Sequence, residues 1–105
     1  MLLISDFIMA NFDEIIKSNE NVLIDFYATW CGPCQTLTPI LEDLKEELGD
    51  DLRIVKIDVD RNQKLAAQMG VRGVPSLFFY KNGDLIKNSS GVLAKHEIKS
   101  IFNIS

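Results

Sequence analysis

The stretch Val22-Leu23-Ile24-Asp25-Phe26-Tyr27 limits most strongly how this chain can fold. Its apolar residues run unbroken from Val22 to Ile24 and resume at Phe26, without the alternation of a strand that keeps one wet face. Such a strand is covered on both faces, as in sheets with helices packed above and below. It reads as the centre of a sheet. Asp25 is its only charged residue, and a carboxylate there is costly unless it is paired, hydrated or protonated.

Directly after this strand comes Trp30-Cys31-Gly32-Pro33-Cys34, which holds the only two cysteines of the chain. Beyond Cys34 the residues Leu37, Ile40, Leu41, Leu44 and Leu48 recur at helical spacing, and Gly49 supplies a stop signal. The cysteines therefore sit at the start of a long helix. Pro39 falls inside it and is expected to bend the helix without ending it. Arg53 to Val59 reads as a second strand, and Leu65, Ala66 and Met69 mark a short helix closed by Gly70. Ser76 to Tyr80 and Leu85 to Lys87 flank Asn82-Gly83, a strong hairpin signal. Ile98, Ile101 and Phe102 suggest a closing helix, and Leu2 to Ile4 followed by Phe12 to Ile16 an opening strand and helix.

The chain has 105 residues, 47% of them hydrophobic and 25% charged, which suits one soluble domain spanning 1–105 with a single core. Its net charge of −4 comes without a basic stripe, which argues against nucleic acid as a partner. The apolar N-terminus has no Lys or Arg before Lys17 and carries Asp6, a poor match to a signal peptide, and no apolar run approaches the roughly 20 residues of a membrane span. A cytoplasmic protein without membrane attachment is expected.

Residues three apart on a helical turn bring their Cβ atoms to roughly 5–6 Å, and a disulfide accepts Cα separations of roughly 4.4–6.8 Å. Cys31 and Cys34 can therefore close and reopen a disulfide with little backbone movement. A purely structural disulfide competes with that reading, but it is unusual in a chain without a secretory signal and with enough core to fold unaided. A structural zinc site needs four ligands, and two cysteines with the distant His96 do not supply them, so no metal is expected. His96 lies in the polar run Ala94-Lys95-His96-Glu97 and reads as a solvated helix residue rather than a general base.

The reacting species in thiol exchange is the thiolate, and helix N-termini and C-x-x-C motifs lower a thiol pKa from about 8.5 to roughly 3.5–7.5. Cys31 stands where unpaired backbone N–H groups and the positive end of the helix dipole favour a negative sulfur. It is the expected nucleophile, and Cys34, one turn further in, the resolving thiol. Gly32 leaves room for another chain to approach, and Pro33 suits an early helical position.

Asp25-Phe26-Tyr27-Ala28 leading into Trp30-Cys31-Gly32-Pro33-Cys34, then Pro39, Lys56, Val74-Pro75, the Lys81-Asn82-Gly83 turn and Gly91, resemble the thioredoxin family in order and spacing over nearly the whole chain. The resemblance implies a thioredoxin-like three-layer α/β fold, a central mixed sheet of about five strands flanked by about four helices. It implies a protein-disulfide reductase, monomeric and without a bound cofactor, that is recycled with NADPH by a separate flavin-dependent thioredoxin reductase. Its substrates would be disulfide-containing proteins. Asp25 would take the proton of Cys34, with Lys56 nearby tuning that acid. The competing explanations are a strand-edge carboxylate facing water for Asp25 and an amine reaching solvent past the sheet for Lys56.

X–Pro bonds are cis in roughly 5–6% of cases in folded proteins, so Val74–Pro75 alone would be read as trans, whereas the resemblance implies a cis bond packed on the cysteine pair. It further implies that the Val74 backbone pairs with an extended substrate segment, inside a rim of Trp30, Gly73, Val74, Pro75, Gly91 and Val92. Two positions depart from the family's pattern. Tyr27 stands where many members have tryptophan, and Gln35 where a basic residue is common; a missing cation there makes the Cys31 thiolate less favoured.

Two other functions compete. An oxidase or isomerase of an oxidising compartment would share the chemistry, but Gly32-Pro33 resembles the reductants and differs from the Gly-His pair common in isomerases. A binding module using the rim alone would leave the cysteines incidental.

Overall fold

The computed structural model describes residues 11–104. Residues 11–16 are helical (α1), in agreement with the expected helix at Phe12–Ile16, while the expected strand at Leu2–Ile4 lies outside the described residues. The elements that follow are β1 (Asn21–Tyr27), α2 (Gly32–Leu48), β2 (Arg53–Asp58), α3 (Gln63–Gln68), β3 (Ser76–Lys81), β4 (Asp84–Ser90) and α4 (Lys95–Phe102), with a 3₁₀ turn at Gly49–Asp51 between α2 and β2. The strands form one mixed sheet in the order β2-β1-β3-β4, so the described residues hold four strands where about five were expected. β1 runs parallel to β2 and antiparallel to β3, and β3 is antiparallel to β4.

β1 is an inner strand because both of its faces are apolar. Val22, Ile24 and Phe26 pack with Ile57, Phe78, Tyr80, Ile16 of α1 and Leu65 and Ala66 of α3. Leu23 packs on the other face with Leu77, Phe79, Leu37, Leu41 and Leu44 of α2, and Ile98 and Phe102 of α4. Successive side chains of a strand alternate between faces, so Asp25 lies on the face that α2 covers. Lys56 lies beside it, because Asp25 and Lys56 are register partners across the parallel β1–β2 pair.

α2 continues through Pro39 to Leu48, as the apolar spacing predicts. It ends at Gly49, whose φ of 54° is a left-handed value that an L side chain resists. The β3–β4 hairpin closes on Asn82 and Gly83 with φ values of 52° and 85°, the pair of positive angles a type I′ turn requires. On the surface, Lys95 pairs with Asp43 at 3.0 Å and Glu47 at 2.9 Å, and Lys99 also pairs with Glu47, tying α4 to α2.

Candidate functional site

The site lies where β1 ends and α2 begins. Cys31 is the residue that caps α2: its Sγ accepts the backbone N–H of Cys34 at 3.1 Å, one of the donors that a helix start leaves unpaired. The two cysteines are joined as a disulfide with Cα atoms 5.3 Å apart, inside the range the spacing predicts. Both are nearly buried, at 4% and 5% exposure, while Gly32 and Pro33 between them are exposed. Pro33 falls in the first turn of α2, where its missing N–H costs nothing.

A floor of Ala28, Tyr27, Val59 and Val74 packs around the pair. The Val74–Pro75 peptide bond is cis, and Cys31 Sγ lies 3.6 Å from the Val74 carbonyl oxygen. Pro75 is buried and Val74 half-buried; Gly91 comes to the same place, its N–H donating to the Pro75 carbonyl at 2.9 Å with a φ of 90°. Gly73 is exposed, and its carbonyl accepts the Ser76 hydroxyl at 2.6 Å. Val92, next to Gly91, is 40% exposed, and Trp30 at 70% is the most exposed large apolar residue described. The Trp30 indole N–H donates to Asp60 Oδ2 at 2.9 Å, so the ring is held in place despite its exposure. Asp60 is not apparent from the sequence as a partner of Trp30, since no local pattern relates residues 30 apart.

Beneath the pair, Asp25 is 2% exposed, and its Oδ1 has no hydrogen-bond partner among the described residues. Burial pushes its carboxyl from 3.8 up to about 6, with the nearby Lys56 charge pulling part of the way back. The strand-edge carboxylate facing water is thereby excluded. Lys56 is exposed and makes no ion pair with Asp25 among the described residues. Its Nζ instead donates to Thr38 Oγ1 at 3.4 Å and stands 4.7 Å over the Tyr27 ring. His96 is exposed on α4. Gln35 Nε2 donates to the Thr29 carbonyl at 3.5 Å, so its amide is used locally. Among the described residues no group of three or more His, Cys, Asp or Glu is placed to hold a metal, and no helix is long and apolar enough to cross a membrane.

Comparison with known proteins bears on what such a site does. A family model described as Thioredoxin matches residues 4–103. The thioredoxin of Bacillus subtilis (strain 168) is 46% identical over 82 residues, covering 78% of this chain and 79% of that one. Oxidised mitochondrial thioredoxin 3 from Saccharomyces cerevisiae superposes with a TM-score of 0.81 at 36% identity, over 91% of this chain and 90% of that one. A chain from a structure of the thiol-resolving mechanism of yeast mitochondrial 1-Cys peroxiredoxin via glutathione/thioredoxin systems gives a TM-score of 0.80 at 36% identity, over 90% and 89%.

Proposed function

We propose that this chain, which belongs to the thioredoxin family and is a thiol–disulfide oxidoreductase with Cys31 and Cys34 as its redox-active pair, opens substrate disulfides with Cys31 and releases them with Cys34. In the first step the Cys31 thiolate attacks one sulfur of a substrate disulfide. A Cys31–substrate bond forms, and the other substrate sulfur leaves as a thiolate. In the second step Cys34 passes its proton to the Asp25 carboxylate and attacks Cys31 Sγ. The mixed disulfide breaks, the second substrate thiolate leaves, and the Cys31–Cys34 bond takes its place. Two electrons have passed from the pair to the substrate.

The observation that carries this reading is the backbone N–H of Cys34 directed at Cys31 Sγ from the start of α2. A sulfur given a hydrogen-bond donor and the positive end of a helix is the one favoured as thiolate. The Val74 carbonyl beside Cys31, the exposed Trp30, Gly73 and Val92, and the half-buried Gly91 support the reading of this rim as the bed for an extended substrate segment, with Pro75 shaping its floor. The chain would work as a single cytoplasmic domain over residues 1–105 and as a monomer. A flavin-dependent thioredoxin reductase would restore the dithiol with electrons from NADPH, and disulfide-containing proteins, such as peroxiredoxins, would be substrates.

Asp25 supplies the pH dependence. A carboxyl titrating at about 6 is ionised, and able to accept a proton, above that value and protonated below it. The resolving step should therefore climb about tenfold per pH unit below pH 6 and level off above it. In Asp25→Asn the limb at pH 6 should vanish, and resolution at pH 7 should slow on the order of 100-fold, the lower end for loss of a general base. Stopped-flow release of a fluorescent peptide preloaded on Cys31 measures this. An unchanged limb in Asp25→Asn would remove Asp25 from the mechanism.

A further inference from the structure

The hydroxyl of Thr38 has two neighbours that the redox chemistry does not by itself explain. It donates to the Cys34 carbonyl oxygen at 3.1 Å, one helical turn back, and it receives the Lys56 ammonium at 3.4 Å. A hydroxyl has a single proton. Once that proton is directed at Cys34 O, the lone pairs face away from the helix and serve as an acceptor for a cation. The ring of Tyr27 supplies the second support for Lys56, at 4.7 Å. Tyr27 and Asp25 lie on the same face of β1, and Lys56 is the register partner of Asp25. The ammonium is thus held between β1 and α2 on the side of the sheet where Asp25 is buried.

We propose that Thr38 is a positioning residue: bonded to the Cys34 backbone, it holds the Lys56 ammonium close to Asp25 and so sets the electrostatic field that this acid experiences. The proposal rests on the reading of Asp25 as proton acceptor for Cys34, but its test does not use turnover, so the two can fail separately.

Among the described residues that line the same hollow, no other cation plays this part. Lys45 of α2, which lines the same hollow as Thr38 and Lys56, commits its Nζ to the carbonyls of Gly49 and Leu52 at 2.6 Å each. Glu42, also in that hollow, makes no ion pair with Lys56 among the described residues. The β3 partner of Asp25 is the apolar Leu77, and in the oxidised protein Cys31 and Cys34 carry no charge. An exposed lysine deprived of its acceptor moves into solvent, where water screens it from a buried acid.

The test is a carbon-detected NMR titration of the Asp25 carboxyl in the oxidised protein. In Thr38→Val and Thr38→Ala the midpoint should rise from about 6 by a few tenths to about one pH unit, part of the roughly 1–3 units that a close opposite charge exerts. Thr38→Ser, which keeps the hydroxyl, should titrate like the wild type. Lys56→Met should raise the midpoint at least as far as Thr38→Val, and the double variant Thr38→Val/Lys56→Met no further than Lys56→Met alone. A Thr38→Val or Thr38→Ala midpoint equal to that of the wild type would overturn the proposal. So would a double variant displaced well beyond Lys56→Met, since Thr38 would then act without Lys56.

Discussion

Cys31→Ser protein is expected to reduce insulin disulfides no faster than dithiothreitol does alone, while the wild type accelerates the reaction. The serine Oγ is not ionised near neutral pH and cannot enter a disulfide, so the substitution removes the attacking atom and leaves the site otherwise intact. Serine is itself a favoured helix N-cap, and its oxygen can accept the Cys34 N–H that Cys31 Sγ accepts now. The start of α2 should therefore survive the exchange. The disulfide closes a loop of only three residues' separation, which constrains little of the unfolded chain, so its loss should not unfold the protein. Turbidity of precipitating insulin chains follows the reaction, and acceleration by Cys31→Ser comparable to the wild type would contradict the assignment of Cys31.

The largest effect on stability is expected at Phe79→Ala. Phe79 is fully buried at the middle of β3, on the sheet face shared with α2 and α4, and its ring lies 5.2 Å from that of Phe102 at an interplanar angle of 55°. Truncating such a side chain forfeits its transfer free energy and leaves a cavity that close-packed neighbours only partly fill, about 3–5 kcal/mol in all. Domains of this size are stable by roughly 5–15 kcal/mol, so the variant should lie near the edge of folding. At about 4 °C or more per kcal/mol, its melting temperature should fall by at least about 12 °C. Ile86→Ala, on the exposed strand β4 where the side chain is 44% exposed, should cost within about 0.5 kcal/mol. Thermal unfolding of the oxidised proteins measures both. A loss below about 1 kcal/mol at Phe79 would mean that the packing around it is not as described.

The central strand was readable in the sequence because burial on both faces removes alternation, and only an inner strand carries that signature. α2 was readable for a different reason: its apolar residues hold helical spacing on either side of Pro39, so the helix continues despite the missing N–H. Asn82-Gly83 named its own turn, since few residues tolerate two successive positive φ values. Sequence proximity likewise brought Trp30, Cys31 and Cys34 together. What spacing could not supply was register between strands. Asp25 and Lys56 stand 31 positions apart, and only the parallel β1–β2 ladder shows them as neighbours. The same holds for Asp60, which reaches Trp30 from the loop after β2. Thr38 could have been found, because it sits four residues after Cys34 on one helical face, but its link to Lys56 depends on how α2 lies over the sheet. Lys56 stands beside Asp25, as the family resemblance implies, but spacing alone does not show that its ammonium is directed to Thr38 and Tyr27.

The central claim is a division of labour within the pair, attack by Cys31 and release by Cys34, and trapping tests it most directly. Cys34→Ser protein is mixed with an oxidised protein substrate, quenched in acid and analysed by mass spectrometry after proteolysis. The account predicts a stable adduct in which one substrate cysteine is disulfide-bonded to Cys31, and no adduct with Cys31→Ser protein under the same conditions. An adduct forming on Cys34 of the Cys31→Ser protein as fast as on Cys31 of the Cys34→Ser protein would contradict it.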